Sequence, residues 1–328
     1  MDNPVKRSES RISVVIPAFR SERTLPELCI RLGKVLPLVC PEYEIIIVED
    51  SGGGQTWEII RALAAADARI RGMLHSRNYG QHNAILSGIR AARFEIIITM
   101  DDDLQNPPEE IPALLAKLAE GYDVVYGTPC QEKHGVLRDI ASLITKRMLE
   151  HAMGGDVSRH ISAYRVFKTH LRDAFKDYRN PFVSIDVLLT WATTHFAAIP
   201  VQHNARTVGA SGYTLSRLIR HTLNMVTGYS VFPLQLASWT GFLFTLFGMC
   251  LLIYVLGRYL LHGSGVAGFP FLASIIAIFA GAQMFALGII GEYLSRMHVN
   301  SMGRPLAVVK EATFPVSDTS NKEGSGSS

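Results

Sequence analysis

Three consecutive carboxylates, Asp101-Asp102-Asp103, follow directly on the apolar run Ile96-Ile97-Ile98-Thr99-Met100 and lead into Leu104-Gln105-Asn106-Pro107-Pro108-Glu109. Acids this close repel one another unless something positive lies between them. Their hard oxygens suit Mg2+ or Mn2+, ions that bind through one or two carboxylates together with substrate phosphates. A second acidic pair, Glu49-Asp50, ends another apolar run and is followed by Ser51-Gly52-Gly53-Gly54. Carboxylates before such a turn can accept hydrogen bonds from a nucleobase or a ribose. Two acidic run-ends on one sheet edge are a more specific signal than either alone.

The elements that must position these acids alternate along residues 12 to about 130. Ile12–Ile16 reads as a strand ended by Pro17, Tyr43–Val48 as a second, Arg71–His75 as a weaker third, Phe94–Met100 as a fourth and Tyr122–Tyr126 as a fifth. Helical spacing fills Leu25–Leu36, Thr56–Ala66, Gln81–Ala92 and Glu109–Ala119 between them. Near-continuous apolar strands alternating with helices predict an α/β fold, a mostly parallel sheet covered on both faces. Such sheets bind ligands at the carboxyl ends of their strands, where both acidic pairs fall. A further helix is expected over 137–153 and mixed structure over 156–205.

The rest of the 328-residue chain is of different character. No Asp, Glu, Lys or Arg occurs from Thr222 to Gly257 or from Gly263 to Gly291. Each window supplies the ~20 apolar residues that span a bilayer, so spans are expected at about 234–257 and 269–292. Arg217, Arg220 and His221 precede the first; Arg296, His298, Arg304 and Lys310 follow the second; the connection holds only Arg258 and His262. The positive-inside rule then places the polar domain and both termini in the cytoplasm of an inner-membrane protein. Leu215, Leu218, Ile219, Leu223 and Val226 form an apolar stripe that predicts an interfacial amphipathic helix over 214–231. The expected organisation is a tail (1–11), a catalytic domain (12–213), the interfacial helix, a two-helix transmembrane hairpin (232–294) and a cytoplasmic tail (295–328). Ala277 and Gly281 would let helices approach closely, which allows a homo-oligomer. Cys29, Cys40, Cys130 and Cys250 lack metal spacing, and Met1–Arg11 lacks an apolar signal segment. Nothing points to nucleic acid.

Ile16-Pro17-Ala18-Phe19, Val48-Glu49-Asp50-Ser51, Asn78-Tyr79-Gly80-Gln81-His82 and the run Asp101–Glu109 resemble family 2 glycosyltransferases of the GT-A (Rossmann-like) fold. Gly121–Val125, Arg206–Tyr213 and Gly288–Tyr293 narrow the resemblance to the polyprenol-phosphate branch, which includes dolichol-phosphate mannose synthases and bacterial undecaprenyl-phosphate glucose and aminoarabinose transferases. The resemblance covers about residues 12 to 310. It implies that Pro17, Phe19, Glu49, Asp50, Gly80, Gln81, Asp101 and Asp102 hold a nucleotide-sugar, most naturally a UDP-sugar. It implies a metal at Asp101, Asp103 and Gln105. It assigns Arg138, Ser142, Arg206 and Ser211 to the phosphates of donor and polyprenyl-phosphate acceptor, and Asp156 to positioning the acceptor or sugar, or to proton transfer. Asp103, Asp156, Arg138 and Arg206 would then carry an inverting transfer.

Departures from the family pattern are specific. Relatives carry Asn-Glu after the first motif's aromatic, where this chain has Arg20-Ser21, with Glu22 one step later. The closing loop reads Ser211-Gly212-Tyr213 in place of Ser-Lys-Tyr, leaving more of the phosphate contact to Arg206. A processive polysaccharide synthase would need Gln-x-x-Arg-Trp, which Gln202–Thr207 does not supply. A non-catalytic scaffold would have lost the acids that are present here.

Overall fold

The computed structural model describes residues 10–129, 161–180, 183–204, 232–262 and 268–315. The helix expected over 137–153, the interfacial helix over 214–231, and Arg138, Ser142, Asp156, Arg206 and Ser211 lie outside the described residues.

The apolar runs become strands because they are buried on both faces. β1 (Ile12–Ala18) and β2 (Tyr43–Glu49) are buried at every position. Along β1, Ile12, Val14 and Ile16 join one core with Leu25, Leu28 and Leu32 of α1 (Leu25–Val39), Ile60 of α2 (Thr56–Ala66) and Leu114 of α4 (Ile111–Ala119). Val15 points to the other face. There a Cβ on Gly88 of α3 (Gln81–Ala91) would sit 2.3 Å from Val15 Cγ1, so the helix lies on the sheet only because that position is glycine. The period of two along the strand thus divides helices between two layers.

The described sheet has eight strands in the order β7-β5-β6-β4-β1-β2-β3-β8. β3 is Ile70–His75, β4 is Ile96–Thr99 and β5 is Val124–Pro129. β6 (Arg165–Lys168), β7 (Phe196–Val201) and β8 (Val309–Ala312) complete it. β1 pairs in parallel with β2 and β4, β2 with β3, and β5 with β7. Two strands run against this grain: β6 between β4 and β5, and β8 on the outer edge of β3. α5 (Ile185–Ala192) follows β6 and packs near α3.

The sequence ends the first strand at Pro17; the structure carries it through Ala18. Val15 O accepts from Met100 N on the β4 side, and Ala18 O accepts from Asp50 N on the β2 side. Neighbours alternate, so the missing N–H of Pro17 faces β4, where pairing has already stopped at Val15–Thr99. No ladder bond is lost there. The sequence also places Val309–Ala312 in a tail. Three paired positions, two flanking backbone bonds and one side-chain bond make it an edge strand instead: Met73, Leu74 and His75 pair with Ala312, Glu311 and Val309, Thr313 N donates to Gly72 O at 3.0 Å, Ser76 N to Val308 O at 2.8 Å, and Trp57 Nε1 to Glu311 Oε2 at 2.9 Å.

The chain divides into two compact units, residues 1–213 with 305–328, and residues 214–304. The second contains α6 (Phe232–His262) and α7 (Phe269–Ser301). At 1.5 Å per residue each is about 45–50 Å long, more than the ~30 Å apolar thickness of a bilayer. Leu234–Val255 and Ile278–Ser301 have mean hydropathies of 1.9 and 1.3, and almost none of either is buried. Phe244 and Phe279 meet edge to face at 5.5 Å between the two helices. Helices without a charged residue over 232–257 and 269–291, and with this much exposed apolar surface, fit lipid, not water.

Candidate active site

Three strand ends build one cleft. β1 delivers Pro17, Ala18 and Phe19, β2 delivers Asp50, and β4 runs through Met100 into Asp101, Asp102 and Asp103; the loop into α3 adds Asn78, Gly80 and Gln81. The cleft has a volume of about 340 Å3. Of the candidates, Pro17, Phe19, Asp50, Gly80, Gln81, Asp101, Asp102 and Asp103 are therefore brought together, and Ala18 and Asn78 join them.

Turn geometry is strained where these ends meet. Among the described residues, the non-glycine positions with positive φ are Arg20 (58°), Ser51 (51°) and Leu104 (61°). Each lies one or two residues from a cleft-lining residue, at the end of β1, at the end of β2 and in the acidic turn. Backbone strain of this kind persists only where surrounding structure enforces it, and it gathers at binding sites.

Asp50 is held from three directions. Oδ1 accepts from Tyr79 N at 2.9 Å and His75 Nδ1 at 2.8 Å, and Oδ2 accepts from Gly80 N at 2.6 Å. The two successive amides reach one carboxylate because Gly80 adopts φ 94°. Asp102 Oδ2 accepts from Phe19 N at 3.2 Å and from the Ser21 hydroxyl. Ser21, one of the departures from the family pattern, thus ties the first motif to the acidic turn. Gln81 Nε2 donates to Asp101 Oδ1 at 2.6 Å.

Charge is out of balance here. Burial first, then Asp103 and Asp102, push the Asp101 carboxyl up to about 7, against smaller opposing effects of Arg165 and Gln81. Burial also raises Asp102, against the Ser21 bond. At the opposite end of the sheet, burial likewise raises Glu44. There the bonds from Ser13, the Arg93 amide and Arg71 outweigh it and hold the group below the usual carboxylate range. Glu44 is a matched structural acid. The cluster at residues 101–103 is a set of hard oxygen donors short of positive charge, which fits a divalent ion shared with a ligand's phosphates. Among the described residues no three His, Cys, Asp or Glu side chains converge as a closed metal cage.

Two candidates are placed elsewhere. Glu49 is buried outside the cleft lining, and its Oε1 accepts from Gly52 N at 2.8 Å, closing the glycine turn. Alternation along β2 turns Glu49 away from the face its neighbour Asp50 uses. Gln105 also lies outside the lining: its N–H donates to Asp103 Oδ1 at 3.1 Å and its carbonyl accepts from Asn204 N at 2.9 Å. Its observed part is to fix the acidic turn.

Sequence reading missed Arg165 and Asp186. Arg165 is 2% exposed, pairs across the sheet with Thr99 and Tyr126, and reaches Asp186 Oδ1 at 2.5 Å, where the Tyr126 hydroxyl also donates at 3.0 Å. The pair comes together through an antiparallel strand inserted beside β4, and no local motif announces it.

Comparison with known proteins agrees with this layout. Glycosyl transferase family 2 matches residues 13–178, a segment that includes every cleft-lining residue. The undecaprenyl-phosphate 4-deoxy-4-formamido-L-arabinose transferase of Shewanella sediminis is 34% identical over 303 residues, covering 92% of each chain. Glucosyl-3-phosphoglycerate synthase of Mycobacterium tuberculosis superposes with a TM-score of 0.48 at 18% identity, covering 66% of this chain and 78% of that one. A second structure of that synthase, in complex with Mn2+, UDP-glucose and phosphoglyceric acid, gives the same figures. With the cleft motifs in place on a mostly parallel α/β sheet, this chain belongs to glycosyl transferase family 2.

Proposed function

We propose that this glycosyltransferase moves a sugar from a nucleotide-sugar, with UDP as the leaving group, to the phosphate of a polyprenyl phosphate such as undecaprenyl phosphate, inverting the anomeric carbon. One observation carries the reading: the likeness to the Shewanella sediminis transferase extends over 92% of both chains and so includes the two apolar helices as well as the cleft. A lipid-linked acceptor gives those helices a purpose, since its hydrocarbon chain stays in the bilayer while its phosphate meets the donor.

The chemistry asks mainly for management of negative charge. A phosphate monoester has a second pKa of about 6, so the acceptor is already an anion at neutral pH and needs no strong base. Asp101 and Asp103 are the residues that would hold Mg2+ or Mn2+, which when bound would neutralise charge on the departing diphosphate. Asp50, fixed by its three donors, would accept a hydrogen bond from the base or ribose, beside Phe19 and Gly80. Arg138, Ser142, Arg206 and Ser211 are proposed for the phosphates, and Asp156 for placing the acceptor or sugar. α6 and α7 would form a hairpin in the inner membrane with the catalytic unit in the cytoplasm, as the basic flanks require.

The test is transfer of labelled sugar from a panel of UDP-sugars into undecaprenyl phosphate by the purified full chain, with and without chelator. Chelator-sensitive label in the lipid fraction from one donor is the expected result. Label from no UDP donor, with folded protein, would overturn the UDP assignment.

A further inference from the structure

His75 has no part in any motif above, yet its ring is wholly buried between the cleft and α3. A carboxylate only accepts hydrogen bonds, so Nδ1 carries the proton in its 2.8 Å bond to Asp50 Oδ1. The other nitrogen, Nε2, lies 3.0 Å from Ser87 Oγ on α3. The ring stands edge-on to Tyr79, whose amide reaches the same Asp50 oxygen. Its backbone is pinned too, since His75 pairs with Val309 of β8 and the next amide donates to Val308 O.

We propose that His75 is a positioning residue for the donor nucleotide, acting through Asp50. This rests on the reading that Asp50 touches the nucleotide. A carboxylate offers about four acceptor positions. Three are occupied by His75, Tyr79 and Gly80. That leaves about one for a ligand, so affinity depends on where that one points. The two amides, one to each oxygen, come from a single segment, the turn into α3, and hold the carboxylate only as firmly as that segment is held. The second donor to Oδ1 comes from β3 and anchors the carboxylate to the sheet independently, and Ser87 keeps the ring from swinging away. The chain thereby ties β2, β3 and α3 to a single acceptor in the cleft.

The experiment compares His75→Asn, His75→Gln and His75→Leu in the full-length protein. Asparagine places an N–H donor at the position of Nδ1; glutamine places one nearer Nε2; leucine places none. Binding of UDP with Mn2+ is titrated, alongside GDP, CDP and dTDP, and donor KM, kcat and melting temperature are measured. His75→Asn is expected to keep UDP affinity within about threefold, while Gln and Leu weaken it about tenfold, the size of one lost charge-assisted bond. The loss is expected in donor KM, with kcat and the lipid acceptor's KM nearly unchanged. Equal affinities in all three variants would overturn the inference, as would losses that track melting temperature regardless of the donor atom. Asp50→Asn separates the two readings. If it weakens UDP binding while His75→Gln does not, the inference alone fails. If Asp50→Asn changes nothing, or the parent protein binds none of the four nucleotides, the assignment of Asp50 to the nucleotide fails, and the inference with it.

Discussion

Arg165 and Asp186 form an ion pair at 2.5 Å with the guanidinium 2% exposed, a buried charge pair one strand away from three crowded carboxylates. Removing one partner of a buried pair leaves the other charge uncompensated and costs about 3–5 kcal/mol. Arg165→Met is expected to destabilise the protein by that amount. The double variant Arg165→Met/Asp186→Asn is expected to cost less than the sum of the single changes. Chemical denaturation of the four proteins in detergent measures the coupling, and additive losses would show that the pair does not act as a unit.

Asp103→Ala is expected to lower sugar transfer by about 100-fold or more, since metal-assisted charge stabilisation is worth several kcal/mol. Membrane insertion and expression are expected to stay unchanged. Unchanged turnover would remove Asp103 from the metal site.

The acidic cluster predicts a pH signature in protein stripped of divalent ions. Asp101 titrates at about 7 in the folded chain against 3.8 ordinarily, so the folded state binds the extra proton between those values. Its contribution to stability is complete below pH 3.8, declines as pH rises, and is lost above about 7. Melting temperature in chelator is therefore expected to fall more across this range in the parent than in Asp101→Asn. Parallel profiles for the two proteins would contradict the crowding of charge at this site.

Two glycines separate strain from crowding. Gly88→Ala drives a Cβ to 2.3 Å from Val15 Cγ1 and is expected to cost about 1–3 kcal/mol by overpacking. Gly80→Ala meets no neighbouring atom but must hold φ 94°, so its cost of about 1 kcal/mol or more is backbone strain. Relief of that strain would shift the amide that binds Asp50. Gly80→Ala is thus expected to weaken UDP binding and Gly88→Ala only stability, which parallel titration and melting curves distinguish.

What the sequence made legible, and what it hid, follows from how local each signal is. β1 to β5 and the helices between them were readable because each buries a continuous apolar run, and the acids at the ends of β2 and β4 fall on the same sheet edge for that reason. Pro17 misled because a proline ends a strand only if its missing N–H was needed. Glu49 falls outside the cleft lining because one step along β2 reverses the face. Arg165, Asp186 and His75 carried no motif, since their partners lie on elements distant in sequence: α5 for Arg165, β5 and β6 for Asp186, and the end of β2 and α3 for His75. β8 was hidden because four residues of mixed polarity signal nothing until an open strand edge is beside them.

That last strand has a consequence for how the chain can thread a bilayer. β8 is hydrogen-bonded into the same sheet as β1, although 91 residues of a separate compact unit, 214–304, lie between the two parts of the sheet-bearing unit. A chain that leaves a folded body and returns to it must cross any intervening barrier an even number of times. If the intervening unit enters a bilayer, the pairing of β8 with β3 calls for an even number of crossings, an expectation that does not depend on loop charge. The two candidate spans among the described residues would satisfy it. A chain in which only one helix inserted would strand β8 on the far side, leaving the edge of β3 unpaired and open to other chains.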